Sequence, residues 1–259
     1  MKKLVVYTCV TGGYEKVAEP LALSEGVDFV CYTDNHELCG SEGGVWQYRM
    51  VDHLCSGASR TSRYYKMHPS DLFPDYEYSL WIDGNVTIAD KAFYSRLYEM
   101  MDSGSLAAGL RHPDRDDIYE EAYRILYGRR EKLHEVMRTV RFLKRSGMPP
   151  HFGLYENNVI LRRHSDPKVK EFDDLWWECL RDYSGRDQLS HTYAIWKTGI
   201  KYDLILPDGT NARNNPCFRY TGHGPQYRKK RSLKGVLTDA STFFNKCVYK
   251  IWLVVSAPR

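Results

Sequence analysis

The sequence lacks any Cys-x-x-Cys pair, although it carries seven cysteines, at 9, 31, 39, 55, 179, 217 and 247. An odd count without pairing spacing argues against a disulfide framework or a zinc ribbon and favours a reducing compartment. No apolar stretch approaches the roughly 20 residues that span a bilayer. The start, MKKLVVYTCVTGG, has an apolar run too short for a signal peptide and reads as a first β-strand with a glycine turn. A soluble or peripheral protein facing the cytosol is therefore expected. The GK[ST] ending of a Walker loop is missing, and so are HxH and HExxH spacings. Those absences weigh against a phosphate loop and against a common type of metal hydrolase. There is no internal repeat and no low-complexity linker.

The chain has 259 residues, 42% hydrophobic and 27% charged, enough for one α/β domain with a substantial core. Twenty Tyr and six Trp suit either sugar and base sites or an ordinary Tyr-rich core. Charge is unevenly distributed. Residues 211–259 hold ten Lys or Arg against the single acid Asp239, a balance of +9, while the rest has 27 bases against 32 acids, or −5. Within 236–255, Val236, Leu237, Ala240, Phe243, Phe244, Cys247, Val248, Ile251, Trp252 and Val255 fall at helical spacing behind the basic cluster at 228–231. This pattern predicts either an interfacial helix on an anionic membrane, at its inner face, or a helix docked on its own domain or a second subunit. Its aromatics do not alternate with its bases, which disfavours nucleic acid.

Apolar, β-branched runs predict strands at 4–10, 28–33, 46–51, 78–82, 105–110 and 158–161. Helical periodicity predicts helices at 59–67, 91–102, 117–145, 168–182 and 187–198. Strands alternating with helices imply an α/β sheet covered on both faces. The simplest division is a domain over 1–222 and a C-terminal extension over 223–259.

In DYEYSLWIDGNVTI a hydrophobic strand runs into Asp83, Gly84 and Asn85. A carboxylate at a strand's carboxyl end lies where open α/β sheets bind ligands. Asp and Asn oxygens suit Mg²⁺ or Mn²⁺ shared with phosphates. Taken alone, the tripeptide is a turn more readily than a ligand. Arg60, Arg63 and Lys66 lie on one helical stretch just upstream, either as a phosphate contact or as a solvated basic face. Thr8, Gly12, Gly13 and Tyr14 accompany the first strand and its glycine turn. Asp187, flanked by Arg186 and Gln188, opens a helix, as an N-cap or as a functional carboxylate. Glu156, Asn157 and Asn158 precede a strand, as sugar ligands or as the entry turn. His112, Asp114 and Arg115 form a further cluster after a strand.

The segments TGGYE, SRYYKMHPSDLFPDYEYSLWIDGNVTI, RHPDRDDIYEEA, GLYENNVILRRH and YSGRDQLS together resemble the TOD/MUCI-type glycosyltransferase-like domain, long known as a domain of unknown function. The resemblance spans roughly 5–195. It implies a GT-A-like nucleotide-sugar transferase, a single α/β domain with a mixed central sheet flanked by helices, in which Asp83 and Asn85 hold Mn²⁺ or Mg²⁺ on a donor diphosphate, a UDP-sugar by preference. Asp-Gly-Asn stands where many such enzymes have Asp-any-Asp, so one anionic ligand is missing. By the same resemblance a late His, His223, completes the metal shell and Lys229 contacts the diphosphate. Tyr14 stacks on the base beside Thr8 and Gly13, and Arg60, Arg63 and Lys66 face phosphate. His112, Arg115, Glu156, Asn157, Asn158 and Arg186 bind sugar. Asp187 and Gln188 act at the reacting centre, as in retaining enzymes of the glycogenin type. The charge and amphipathicity of the C-terminal segment suit a saccharide or lipid-linked saccharide acceptor at the inner membrane face. A competing reading is a metal-dependent hydrolase built on Asp83, His112, Asp114 and His223.

Overall fold

A computed structural model of the chain describes residues 2–13, 17–41, 43–128, 131–183, 185–221 and 247–249. Its elements in chain order are β1 (Lys2–Val10), β2 (Val27–Thr33), α1 (His36–Cys39), β3 (Trp46–Met50), α2 (Ala58–Met67), α3 (Pro69–Leu72), β4 (Tyr76–Ile82), β5 (Val86–Ile88) and α4 (Ala92–Asp102). Then follow β6 (Ala107–Arg111), α5 (Ile118–Tyr127), α6 (Leu133–Arg145), β7 (Tyr155–Arg162), α7 (Pro167–Asp182), α8 (Asp187–Thr198), β8 (Tyr202–Leu204) and β9 (Phe218–Tyr220).

Seven strands form one sheet in the order β3-β2-β1-β4-β7-β6-β8, and β5 pairs with β9 in a small second sheet. β1 pairs in parallel with β2 and β4, and β2 with β3, whereas β7 lies antiparallel to both β4 and β6. Successive strand side chains point to opposite faces, which divides the apolar residues of β1 between two cores. Leu4 and Val6 join α4 (Phe93, Leu97, Met100) on one face. Val5, Tyr7 and Cys9 join α2, α7 and α8 (Tyr65, Trp176, Ile195) on the other. Both faces are therefore covered, as the alternation of strands and helices predicts.

Three expectations are corrected. The helix predicted over 117–145 is two helices: α5 ends on Gly128 as its C-cap and α6 starts after Lys132. Both nevertheless bury apolar residues at helical spacing (Ile118, Ala122, Ile125; Val136, Val140, Leu143) in a third apolar cluster, with Leu133 partly buried against it. The first strand runs through Thr8, so that residue is interior to β1 rather than part of the turn after it. β7 starts three residues before the predicted 158, so Glu156, Asn157 and Asn158 are buried strand residues and not an entry turn. The segment after α8 is also part of the core, since Ile205, Leu206, Ala212 and Phe218 pack with β4 and α4.

Of the predicted C-terminal extension, only 247–249 lie within the described residues. They form a helical turn whose Tyr249 is fully buried in the α5–α6 cluster and donates to the Tyr119 carbonyl at 3.3 Å. Tyr249 is not on the predicted stripe, so this turn docks on the domain by another face. No described helix is long and apolar enough to cross a membrane.

Two buried histidines make stability depend on pH. His164 is 2% exposed and His191 0%. Burial pushes them down from the ordinary histidine range, to about 4 and about 3 respectively. Below about pH 6.5 the unfolded chain takes up these protons before the folded one, so stability is lost as pH falls. At pH 5 each histidine costs about 2 kcal/mol. Acidification from pH 7 to 5 is thus expected to lower the melting temperature by roughly 10 °C. A melting curve unchanged over that interval contradicts the assignment.

Candidate active site

The carboxyl end of β4 and the start of α8 meet over α2, and this junction brings together three residues far apart in sequence. Lys66, the penultimate residue of α2, has a side chain only 4% exposed. Its Nζ lies 2.9 Å from Asp187 Oδ2 and 3.4 Å from Asp83 Oδ1. Arg63, one helical turn earlier, places Nε 3.5 Å from Asp187 Oδ1, an ion pair without a hydrogen bond. Lys66 is therefore not on a solvated basic face. Burial alone would raise the Asp187 carboxyl, but Lys66 and Arg63 beside it overcome burial and hold it well below the usual carboxylate range. Nor does Asp187 cap its helix: Arg186 is the N-cap and Asp187 the first helical residue, its charge favourably placed at the helix N-terminus.

Asp83 differs in that its side chain is 41% exposed. Its Oδ1 accepts from Trp81 Nε1 at 2.7 Å as well as from Lys66, and its Oδ2 meets no donor among the described residues. The Asp-Gly-Asn segment is also a turn, because the Asp83 carbonyl accepts from Val86 N at 2.8 Å. The turn and ligand readings are thus compatible. A Cβ on Gly84 would stand 2.8 Å from Val10 Cγ2, so only glycine lets this turn press against the end of β1. Gly12, at φ +77°, is likewise required; its N–H donates to Asp34 Oδ2 at 2.7 Å.

The opposite wall comes from β7, whose main chain accepts the Asp83 N–H at the Asn158 carbonyl, 2.9 Å away. Glu156 is paired with Arg213 and accepts from Asn158 Nδ2 at 3.3 Å. Asn157 is 9% exposed, and neither its Oδ1 nor its Nδ2 has a hydrogen-bond partner. An unpaired buried amide costs about 1–3 kcal/mol, a cost that a bound hydroxyl pair would remove. Gln188 Nε2 donates to the Tyr155 carbonyl at 3.2 Å and ties α8 to this wall. At the rim, His112 Nδ1 accepts from the backbone N–H groups of Asp114 and Arg115, each at 3.2 Å, and Arg115 pairs with Glu121 at 2.8 Å. Burial and the Arg115 charge bring His112 down to about 4.

These walls enclose a cleft of about 1270 Å³. Of the predicted residues, Arg60, Arg63, Lys66, Asp83, Gly84, Asn85, His112, Arg115, Glu156, Asn157, Asn158, Arg186, Asp187 and Gln188 line it. Thr8 is fully buried and outside it; Cys9, Val10 and Thr11 line it instead. Gly13 is exposed and also outside it. Tyr14, His223 and Lys229 lie outside the described residues. Asn211, Arg213, Asn214 and Tyr220 line the cleft without having been singled out from sequence. Among the described residues no group of three His, Cys, Asp or Glu is arranged to hold a metal; the hydrolase reading on Asp83, His112, Asp114 and His223 also uses a residue outside them.

A mixed α/β sheet with its polar cleft at the carboxyl ends of the parallel strands defines a ligand-binding α/β domain. The TOD1/MUCI70, glycosyltransferase-like domain family matches residues 1–207, and the chain belongs to that family. It is 26% identical over 221 residues to the probable hexosyltransferase MUCI70 of Arabidopsis thaliana, a match covering 76% of this chain and 38% of that protein. The chain thus spans well under half of that relative's length. Among solved structures it is similar to the apo structure of the bifunctional glycosyltransferase WbbM, at a TM-score of 0.41 and 11% identity, covering 79% of this chain and 38% of the other.

Proposed function

We propose that the chain transfers a sugar from a nucleotide-sugar donor, a UDP-sugar by preference, to a saccharide or lipid-linked saccharide acceptor. The observation that carries this reading is Lys66, buried between the carboxylates of Asp187 and Asp83 at the cleft floor. Glycosyl transfer breaks the bond between the anomeric carbon and the diphosphate, separating a positive sugar from a negative leaving group. A carboxylate and an ammonium held 2.9 Å apart in a poorly solvated pocket match those two developing charges. Arg63 and Arg60 extend the positive wall towards the phosphates.

A carboxyl held as low as that of Asp187 is a poor proton acceptor near neutrality, where general bases work best. This favours Asp187 as an electrostatic and orienting group. The cleft volume exceeds the roughly 300–1000 Å³ of a typical single-ligand site, which leaves room for both donor and acceptor. Asn157 and Asn158 are suited to sugar hydroxyls.

The residues present fit a hard divalent ion that shares its shell with the donor: one free carboxylate oxygen on Asp83 and the Asn85 amide, with phosphate oxygens for the rest. Mn²⁺ or Mg²⁺ bound there would add positive charge at the departing diphosphate. Membrane contact through the C-terminal segment rests on residues outside those described, apart from 247–249.

The test is a thermal-shift and mass-spectrometric screen of nucleotide sugars, with and without Mn²⁺, against the protein and Asp83→Ala. The variant keeps the backbone bonds of the turn and is expected to fold, but to lose transfer and Mn²⁺-dependent nucleotide binding. Full activity in Asp83→Ala removes the assignment.

A further inference from the structure

Directly beneath Lys66 lies a buried ion pair that the chemistry above does not use. Arg162, the last residue of β7, is 0% exposed, and its Nη1 donates to Asp173 Oδ1 on α7 at 2.6 Å. Its Nη2 donates to the Lys66 carbonyl at 2.7 Å and to the Tyr7 hydroxyl. Tyr7 in turn donates its own proton to that carbonyl at 2.9 Å. The last carbonyls of a helix have no intrahelical partner, and water or a cap usually satisfies them. At α2 a guanidinium and a phenol, both from the sheet, take one of these carbonyls, and it belongs to the residue that carries the cleft's buried ammonium.

The same helix α7 fixes the other member of the pair. Trp176, three residues after Asp173, donates Nε1 to the Asp187 carbonyl at 3.0 Å. Its ring lies 5.9 Å from Lys66 Nζ, and that of Trp81 lies at 5.3 Å. Main-chain anchors and aromatic walls thus define both ends of the Lys66–Asp187 contact.

Stability alone does not account for Arg162 and Asp173. A fully buried ion pair is a weak stabiliser that apolar residues often replace at little cost. This one is also incompletely satisfied, since Arg162 Nε and Asp173 Oδ2 are buried without partners. A guanidinium is nevertheless suited to fix two acceptors in one plane. We propose that Arg162 and Asp173 are positioning residues that hold the Lys66 ammonium at the reacting centre; this rests on the role given to Lys66 under the proposed function.

The test compares the wild-type protein with Arg162→Met/Asp173→Leu, Arg162→Lys and Tyr7→Phe, using UDP as the binding probe and a panel of UDP-sugars for turnover. The double variant is expected to melt within about 5 °C of wild type, since apolar replacement of a buried pair is often near neutral. Its kcat is expected to fall by about 10- to 100-fold, the scale of a 1 Å misplacement, while the donor KM and UDP affinity change less than about threefold. Arg162→Lys keeps the charge but loses the fork, and is expected to be equally slow. A folded double variant with wild-type kcat, or with its loss confined to KM, overturns the proposal. If the double variant does not fold, Tyr7→Phe decides: unchanged melting with kcat lowered about threefold or more supports positioning, and wild-type kcat overturns it. If the wild type turns over no sugar nucleotide, the proposed function fails separately. Positioning is then decided by a crystal structure of the double variant, or of Tyr7→Phe, in which Lys66 Nζ unmoved from Asp187 refutes it and a displaced one supports it.

Discussion

Replacing Lys66 by methionine is expected to abolish turnover and to cost about 3–5 kcal/mol of stability, the usual penalty for breaking a buried ion pair from one side. Methionine keeps an apolar stem against Trp81 and Trp176, so the loss isolates the ammonium. Asp187, 14% exposed, would retain only the Arg63 contact at 3.5 Å. Burial, already the largest influence on its carboxyl, would then be opposed by Arg63 and Arg186 without Lys66, so the carboxyl is expected to rise from its wild-type position. That rise has a readable signature. In the wild type the Asp187 contribution is complete above the unfolded carboxylate range and is lost only as pH falls through its depressed value. In the variant the carboxyl contributes less at high pH, and the difference from wild type is relieved as acidification passes through its raised value. The melting deficit against wild type is therefore expected to be about 10 °C at pH 8 and smaller once acidification passes that value. A deficit that does not change with pH would show that Lys66 is not the group holding Asp187 ionised.

Asp187→Asn tests the other half of the pair with almost no change of shape. The Trp176 bond to the residue 187 carbonyl is a main-chain bond and survives, and Lys66 keeps Asp83. The variant is therefore expected to fold. It loses the negative charge proposed to face the developing sugar cation, and kcat is expected to fall by about 10³-fold, the scale of removing one preorganised electrostatic group. Donor affinity should change less than about tenfold, because the phosphate contacts are proposed to lie on other residues. Wild-type kcat in Asp187→Asn would leave the proposed chemistry without its central carboxylate.

The parts of this protein that were legible in sequence are those specified by local pattern. β1 to β4 are apolar runs bounded by polar turns, and the amphipathic spacing of α4 and α7 placed them within a residue of their observed limits. The strand-end position of Asp83 was readable for the same reason. Polar residues inside buried structure were not. Glu156, Asn157 and Asn158 look like a turn because strands rarely bury them, yet their burial is what makes the cleft wall. Gly128 was the available signal that 117–145 is two helices. The three-residue strands β5, β8 and β9 are too short to have a period. Lys66 and Asp187 are 121 positions apart, and no spacing rule joins them; only packing of α7 and α8 against α2 does. Arg213 and its asparagine neighbours had no recognisable motif, although they complete the cleft.

The antiparallel insertion of β7 between β4 and β6 has a consequence for the newborn chain. Until residues 155–162 leave the ribosome, the Tyr76–Ile82 strand has no partner on one side, and the Asp83 amide lacks the Asn158 carbonyl that receives it. An apolar strand with a row of unpaired backbone groups invites association with other chains. Translation thus passes through an interval in which this strand is exposed to off-pathway association.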